Sequence, residues 1–364
     1  MYVDYKSRYS LVQLWLRVAL MGLLFINIAT FACLSTAYAS LPKEGRLRMA
    51  TFNVDNLSDR NDVGLRAAVM AEFDLIALQE VEVIAGLTKL VKALEKVTDA
   101  SWGQVISPLS GVGNQGEYYA FVYRTSVVQY INNTAGLYDG ETANRFVRPP
   151  FYAGFRADQF DFTLVTVHIK WSKSSTARAA ETRRLAKVYN DVQASDAIEN
   201  DVILLGDFNL WPWHERGFQP MRDAGLFPVL SDKNVFTTYG AKERNQWSNF
   251  YDNIWLSKAT SEWIPGVAGV APTFRMLKEQ GKAAHMQARR LISDHCPVWA
   301  VFNTDKDDDA IEPEPKQYFI GNDVSMFLHR PRCRYLPSPK RRVILTDRDA
   351  AIESGFKPCR LCKP

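Results

Sequence analysis

The sequence predicts an α/β protein, a two-sheet mixed β-sandwich flanked by helices, followed by a small C-terminal zinc-binding module. Three observations support the main part of this prediction. Short apolar runs rich in β-branched residues, such as Val202–Leu205, are typical of buried strands. Amphipathic helical segments lie between these runs, and several strands are neighbours in sequence, as in antiparallel pairs. The chain of 364 residues is 47% hydrophobic and 23% charged, which indicates a globular protein with a large core.

The N-terminal segment, residues 1–39, has the pattern of an export signal. Basic residues precede an apolar run from Val18 to Ala32, and Ala37-Tyr38-Ala39 is a small-x-small cleavage pattern. The run is short for a membrane-spanning helix, although a retained anchor or lipid attachment at Cys33 are alternatives. We expect cleavage after Ala39, and hence a periplasmic or secreted protein whose only membrane contact is during export.

Strands and helices alternate through residues 40–303, which we predict to form one catalytic domain. Helical spacing of apolar residues predicts helices at 61–72, 83–97 and 176–193. Alternating or continuous apolar patterns predict strands at 46–54, 73–81, 117–124, 127–133, 151–156, 161–168, 202–209, 250–255 and 296–302.

Polar side chains recur at the ends of these strands. They are Asn53, Glu80, His168, Asp207, Asn209, Asp252, Asp294 and His295. Gly206-Asp207-Phe208-Asn209 taken alone is equally typical of a turn, in which Gly206 would allow a sharp reversal of the chain. The recurrence across many strands favours a shared site at the strand ends instead.

Six segments in order make the chain similar to the endonuclease/exonuclease/phosphatase superfamily, which has the fold of deoxyribonuclease I. They are Thr51-Phe52-Asn53, Leu78-Gln79-Glu80, Val167-His168, Gly206–Asn209, Tyr251-Asp252-Asn253 and Ser293-Asp294-His295. Two further segments resemble the deoxyribonuclease I branch. Glu117–Arg124 is similar to the Glu-bearing strand of that branch, and Phe146–Pro149, which contains Arg148, is similar to its phosphate-contacting Arg segment. The resemblance covers roughly 45–303 and implies metal-dependent phosphodiester hydrolysis.

Three positions depart from that branch. Glu82 and Asn253 stand where it has arginines, and Gln115 stands where it has a minor-groove tyrosine. These departures concern the grip on duplex DNA and not the hydrolytic residues.

Hydrolysis of a phosphodiester requires an activated water, charge stabilisation at the phosphoryl oxygens and protonation of the leaving oxygen. A hard cation held by oxygen ligands supplies the charge stabilisation, and we expect Mg²⁺, with Mn²⁺ or Ca²⁺ as alternatives. Glu80 is the first candidate ligand, and the resemblance adds Asn53 and Asp294.

The resemblance also implies roles for two histidine–carboxylate pairs. His295, oriented by Asp252 and helped by Asp207, would activate water. His168 with Glu117 would bind the scissile phosphate and protonate the leaving oxygen. A carboxylate beside a histidine raises its pKa and fixes its tautomer, which suits both roles. Asn209 would donate a hydrogen bond to a phosphoryl oxygen, and Arg148 would add positive charge.

Other residues near these segments have two interpretations. Trp211 and Trp213 could stack on bases or pack in the wall of the domain. Lys170, Lys173 and Arg178 could contact backbone phosphates or form a solvated face. The glycine-rich segment 111–116 does not precede a helix, so we interpret it as a loop and not as a nucleotide-binding motif.

The C-terminal part differs in charge from the rest of the chain. Residues 303–315 contain six acidic residues and one lysine, and we interpret 304–316 as an exposed acidic linker. Residues 316–364 contain eleven basic and four acidic residues, which is typical of a module that binds a polyanion.

Residues 317–364 also have the spacing of a zinc site. His329, Cys333, Cys359 and Cys362 are similar to the metal-binding module of the Ada alkylation-repair protein, with His329 in place of its first cysteine. So short a module needs such a cross-link to fold. A disulfide is the alternative, although three cysteines would leave one unpaired.

Taken together, the sequence predicts an exported Mg²⁺-dependent DNA nuclease that acts as a monomer and is tethered to nucleic acid by its C-terminal module. A phosphomonoesterase or lipid phosphodiesterase of the same fold is one alternative. A non-catalytic nucleic-acid-binding protein on the same scaffold is another.

Overall fold

The computed structural model describes residues 45–364 except for 112–115, 196–198, 243–245, 279–280, 310–318, 331–332, 334, 338–340 and 346–347. The predicted export signal, Gln115 and residues 310–316 of the predicted linker therefore lie outside the described residues.

Two mixed sheets packed face to face form the main body, as predicted. The first sheet contains, in spatial order, β12 (Trp263–Val270), β13 (Val298–Asn303), β1 (Arg46–Leu57), β2 (Leu75–Val81), β4 (Tyr118–Arg124) and β3 (Trp102–Ile106). The second contains β10 (Phe227–Pro228), β11 (Asp252–Leu256), β9 (Val202–Asp207), β8 (Phe160–His168), β7 (Phe151–Ala157) and β5 (Gln129–Tyr130), with β6 (Gly136–Leu137) also paired to β7. The parallel pairs are β1 with β2 and β8 with β9.

Burial on both faces explains the continuous apolar runs. In β9, Ile203 and Leu205 pack between the two sheets, whereas Val202 and Leu204 pack on the outer, helix-covered face. The layer between the sheets is rich in phenylalanine, including the stacked rings of Phe160 and Phe162 at 4.6 Å. Each such fully buried side chain contributes about 1.5–3 kcal/mol to folding.

Helices cover the outer faces. The first sheet carries α1 (Gly64–Met70), α2 (Ile84–Thr98) and α6 (Gly281–Leu291), and the second carries α3 (Ser175–Thr182), α4 (Leu185–Ser195) and α5 (Glu215–Asp223). Two short 3-10 helices span Ala143–Arg145 and Thr273–Met276.

Three predicted elements differ from the structure. The helix predicted at 176–193 is two helices, which are interrupted at Arg183 and Arg184. The strand predicted at 127–133 is only Gln129–Tyr130, since Asn133 has a left-handed backbone with φ of 69°. The predicted exposed linker is partly packed: Asp307 Oδ2 accepts a hydrogen bond from the Asp161 amide at 2.9 Å.

The C-terminal residues form a small third sheet. It contains β16 (Arg342–Leu345), β14 (Phe319–Asn322), β15 (Phe327–His329) and β17 (Lys357–Pro358), with helix α7 (Arg348–Glu353). Its buried cluster consists of Phe319, Leu328, Ala351 and Phe356, which is too small to hold the fold without a cross-link. Across the described part of the chain, no helix has both the length and the apolar character needed to cross a bilayer.

Candidate active site

The predicted site residues meet at one edge of the sandwich. In a parallel pair the C-terminal ends of both strands lie at the same edge, and strand pairing places His168 beside Asp207, and Asp207 beside Asp252. A hydrogen bond of 3.3 Å from Asn53 Nδ2 to Asp207 Oδ2 joins the first sheet to the second there. Four segments distant in sequence therefore share one site.

Unusual backbone conformations surround this edge. Gly206 has a φ of 147°, and a Cβ at this position would lie 2.1 Å from the carbonyl oxygen of Val167 in the neighbouring strand. Gly206 is thus required by the close packing of β9 against β8, and it does not form the sharp turn that its sequence suggested. Glu80 and Asn209 also have positive φ, at 61° and 47°, as is common for residues held in place at functional sites.

His295 and Asp252 form the first histidine–carboxylate pair. His295 Nδ1 lies 2.8 Å from Asp252 Oδ2, and both side chains are buried. Burial alone would lower the pKa of His295, but the charges of Asp252 and Asp207 raise that pKa well above its ordinary value. The imidazole is therefore a strong proton acceptor, with Nε2 3.7 Å from Asp207 Oδ2.

His168 and Glu117 form the second pair. His168 Nδ1 lies 2.9 Å from each oxygen of Glu117, and Arg148 Nε lies 3.5 Å from Glu117 Oε2. Burial opposes both charged forms, yet the pair overcomes it, so that the pKa of Glu117 is lowered and that of His168 is raised. An ionised Glu117 accepts the Nδ1 proton, which leaves His168 Nε2 facing the site.

Asp207 is the centre of the arrangement. Its Oδ2 atom lies 3.5 Å from His168 Nε2 and 3.7 Å from His295 Nε2, while Oδ1 accepts the Asn209 amide proton at 2.7 Å. Burial raises the pKa of Asp207, and the two imidazoles act in the opposite direction. Both imidazoles therefore face the same point.

A group of oxygen ligands lies on the first sheet. Glu80 Oε1 accepts from Asn53 Nδ2 at 2.9 Å, and Glu80 Oε2 accepts from the Asn56 amide at 3.1 Å. Asp55, which the sequence analysis missed, is close by: its pKa is raised by burial and then by the negative charge of Asp294 and of Glu80. Such a set of hard oxygen donors suits Mg²⁺.

The most closely spaced acids and histidine at this edge are a different set. Among the described residues, ligand atoms of Asp207, Asp252 and His295 all lie within 4.8 Å of one another and could hold a metal ion. Asp294, which we predicted as a ligand, has its Oδ2 atom 2.9 Å from Arg289 Nη1. Binding of the cation by Glu80, Asn53 and Asp294 therefore remains a prediction.

Asn209 and Arg148 adjoin the site as predicted, but both have partners within the protein. Asn209 Nδ2 donates to the Ile169 carbonyl at 2.9 Å and lies 3.3 Å from Asp207 Oδ2, so in this structure it positions Asp207. Arg148 Nε also donates to the His168 carbonyl at 3.3 Å. Contact of either residue with a phosphate remains a prediction.

Glu181 was not identified from the sequence. It is buried, and its two oxygens accept from the Val147 amide at 2.7 Å and the Lys170 amide at 3.1 Å. It therefore ties the Arg148 loop to the segment after His168. Its position within an amphipathic helix gave no sign of this role.

The residues flanking the site divide into exposed and packed groups. Trp171 is 62% exposed, just beyond His168, and Lys173 is exposed beside it. Arg178 is instead buried, and its guanidinium lies 5.7 Å from the Tyr251 ring centre. It is therefore not part of a solvated charged face. Trp213 packs against a neighbouring ring, as its alternative interpretation predicted.

Two of the departures from the deoxyribonuclease I branch can be located. Asn253 is buried, and its Nδ2 atom donates to the Leu230 carbonyl at 2.9 Å, so it holds a loop. Glu82 is exposed.

The four predicted zinc ligands meet in the C-terminal module. One ligand atom from each of His329, Cys333, Cys359 and Cys362 lies within 4.8 Å of all the others. The Cys333 and Cys359 sulfurs are 3.9 Å apart, and all three cysteines are free thiols. Tetrahedral zinc with Zn–S bonds of about 2.3 Å places two sulfurs about 3.8 Å apart, whereas a disulfide requires about 2.05 Å. The donor set therefore fits zinc.

Comparison with known proteins adds a second line of evidence. The Endonuclease/Exonuclease/phosphatase family model matches residues 50–295. A deoxyribonuclease from Thioalkalivibrio sp. (strain K90mix) is 34% identical over 278 residues, which are 74% of this chain and 74% of that protein. The endonuclease/exonuclease/phosphatase family domain-containing protein 1 of Xenopus laevis is 28% identical over 73% of this chain, which spans only 51% of that relative's length.

A solved structure confirms the fold. The crystal structure of an endonuclease/exonuclease/phosphatase family protein from Bacteroides thetaiotaomicron superposes with a TM-score of 0.51 at 19% identity. The match covers 72% of this chain and 96% of that one, so it supports the catalytic domain's architecture.

Proposed function

Because the chain belongs to the endonuclease/exonuclease/phosphatase family, we propose that it is an exported Mg²⁺-dependent nuclease that hydrolyses DNA phosphodiester bonds. The observation that carries this proposal is the convergence of two histidine–carboxylate pairs on Asp207 Oδ2. One imidazole can accept a proton and the other can donate one across a single bound phosphate. The Thioalkalivibrio relative, a deoxyribonuclease, supports DNA as the substrate.

His295 is the base in this mechanism. Asp252 holds Nδ1, so Nε2 is free to take a proton from the attacking water, and the raised pKa makes it an effective acceptor. Asp207 stabilises the resulting imidazolium from 3.7 Å.

His168 is the acid. Glu117 raises its pKa and keeps it protonated, so the Nε2–H group can hydrogen-bond a phosphoryl oxygen and then pass its one proton to the leaving oxygen. Arg148, held near Glu117, adds positive charge beside the phosphate.

The oxygens of Glu80, Asn53 and Asp294 would hold Mg²⁺, with Asp55 as a further donor. The cation supplies charge stabilisation to the phosphoryl oxygens when bound. Trp171 and Lys173 provide an exposed ring and a positive charge for the nucleic acid beyond the scissile bond.

A substrate panel tests the proposal. The purified protein is incubated with supercoiled plasmid, a single-stranded oligonucleotide, p-nitrophenyl phosphate and a lipid phosphodiester, each with Mg²⁺ and with chelator. We expect Mg²⁺-dependent cleavage of nucleic acid alone. Preferential turnover of the monoester or the lipid would assign the other chemistry of this fold, and no turnover of any substrate would indicate a non-catalytic scaffold.

The C-terminal module extends this proposal. We expect residues 317–364 to bind one zinc ion through His329, Cys333, Cys359 and Cys362, and their surplus of basic residues to tether the catalytic domain to DNA. Metal analysis should find zinc in the native protein and not in Cys359→Ser. Deleting 317–364 should weaken DNA binding and flatten its salt dependence, and an unchanged salt slope would contradict the tether.

Export and oligomeric state have direct tests as well. N-terminal sequencing of protein recovered from the periplasm or medium should begin at Ser40, in accord with cleavage after Ala39. A retained anchor would leave the protein in the membrane fraction. Light scattering should give the mass of a monomer.

A further inference from the structure

A second group of carboxylates lies at the opposite end of the sandwich from the active site. This acidic cluster consists of Asp161, Glu199, Asp201, Glu262, Asp307, Asp308 and Asp309. β8 and β9 carry His168 and Asp207 at their C-terminal ends, whereas Asp161 lies near the start of β8 and Asp201 directly precedes β9. From Asp201 to Asp207 is about 20 Å along an extended strand, so the two sites are separate.

Three buried residues of the acidic cluster have carboxylate oxygens that accept no hydrogen bond. Asp201 is 0% exposed, and neither of its carboxylate oxygens accepts a hydrogen bond. Thr260 lies close enough to moderate the pKa of Asp201, but its own hydroxyl is also without a hydrogen-bond partner. Glu262, equally buried, leaves Oε2 unpaired, and Asp161 leaves Oδ1 unpaired. Unpaired buried carboxylate oxygens are costly, which indicates that something else binds them.

The acidic cluster concentrates negative charge at one end of the sandwich. Arg156 Nη2 pairs with Asp161 Oδ2 at 3.0 Å. Burial, together with the neighbouring carboxylates, raises the pKa of Glu199 to about 10 and that of Asp201 to about 9. Without a cation the acidic cluster would therefore have to remain partly protonated at neutral pH.

The spacing of the oxygens fits a single large cation. One oxygen from each of Asp201, Glu262, Asp307 and Asp308 lies within 4.8 Å of the others. Two oxygens bound to one Ca²⁺ at 2.3–2.6 Å can be at most about 5 Å apart. Mg²⁺ usually takes one or two carboxylates and keeps its waters, so four clustered carboxylates favour Ca²⁺.

Hydrogen bonds to the backbone hold residues 307–309 at the acidic cluster. Asp307 accepts from the Asp161 amide at 2.9 Å, and Asp309 Oδ2 accepts from the Asn200 amide at 2.8 Å. Residues 307–309 thus lie against the starts of β8 and β9. They belong to the acidic stretch that the sequence analysis interpreted only as a linker.

The geometry points to a structural Ca²⁺ site formed by Asp201, Glu262, Asp307 and Asp308, which fastens the acidic segment to the catalytic domain at the end remote from the active site. The site is independent of the proposed nuclease activity, because none of its residues touches the active-site groups.

Calcium titration calorimetry of the purified protein in excess Mg²⁺ tests this site, since Mg²⁺ saturates the catalytic edge. We expect the native protein to bind Ca²⁺ and the double variant Asp201→Asn/Asp307→Asn to bind at least about tenfold more weakly. Asp305→Asn is the matched control, because Asp305 is an exposed acid of the same segment outside the cluster, and it should bind as the native protein does.

Thermal unfolding provides a second readout that does not depend on activity. Ca²⁺ should raise the melting temperature of the native protein by about 5 °C and of the double variant by about 1 °C or less. Without Ca²⁺ the double variant should melt at or above the native temperature, because it lacks two carboxyl groups whose burial beside other acids is unfavourable. Glu262→Gln should repeat this pattern. Failure of the native protein to bind Ca²⁺ in excess Mg²⁺, or an equal shift in native and double variant, would overturn the site.

Discussion

His168 and Asp207 are paired across two parallel strands, and the histidine Nε2 atom lies 3.5 Å from the aspartate Oδ2 atom. This pairing of the two strands depends on Gly206, the residue before Asp207, because a glycine lets β9 approach the carbonyl of Val167 closely. A feature of backbone packing thus determines the distance between two groups proposed to act on one phosphate.

Substituting Gly206 should therefore damage both stability and activity. A Cβ at this position meets backbone at 2.1 Å, which no side-chain movement relieves. We expect Gly206→Ala to lower the free energy of unfolding by about 3 kcal/mol or more, as measured by urea denaturation. Gly225→Ala is the control: it has a φ of 86° but nothing within 4 Å of the added methyl, so it should cost only about 1 kcal/mol. Equal losses would contradict the role of packing.

The pH dependence of cleavage should report the His295–Asp252 pair. A base must be unprotonated to act, and Asp252 raises the pKa of His295, so the rate should increase with pH through a value above the ordinary histidine pKa. Asp252→Asn removes the carboxylate that raises this pKa. The acidic limb of the kcat/KM profile should then move to lower pH while the maximal rate falls. An unshifted limb in a folded Asp252→Asn protein would exclude His295 as the titrating base.

Glu80 should determine the metal requirement. Glu80→Gln retains the shape of the side chain but removes the charge that binds Mg²⁺. We expect the Mg²⁺ concentration for half-maximal cleavage to rise at least about tenfold. Glu82→Gln changes an exposed acid two residues away and should leave the requirement unaltered. If Glu80→Gln behaved like Glu82→Gln, the cation would have to bind elsewhere, and the set Asp207, Asp252 and His295 would be the next candidate.

The sequence was sufficient to predict the sandwich, and the polar residues it indicated at strand ends lie together at one edge of it. Strands buried on both faces produce apolar runs that are visible without a structure, as at Val202–Leu205. Polar residues that directly follow such runs can then be assigned to strand ends, as with Glu80 and His168. Local patterns of this kind involve consecutive residues, so they can be recognised from the sequence alone.

Residues that act through contacts distant in sequence could not be predicted in this way. Glu181 binds amides at Val147 and Lys170, and its helical surroundings show only amphipathic spacing. The same reason explains the acidic segment: its charge predicted a solvated linker, whereas Asp307 pairs with the start of a strand nearly half the chain away. The composition of a segment predicts whether it prefers to be exposed or buried. It does not identify the distant residues that the segment contacts in the folded protein.

The most direct test of the central claim is Mg²⁺-dependent plasmid cleavage by His168→Ala and His295→Ala, each compared with the native protein. His214→Asn is the control, because His214 caps helix α5 through Nδ1 and an asparagine can retain that hydrogen bond. We expect each alanine variant to lose about 10²–10⁴-fold in kcat/KM while it still folds and unfolds cooperatively, and the control to keep its activity. Near-native cleavage by either folded alanine variant would contradict a mechanism in which two imidazoles act on one phosphate.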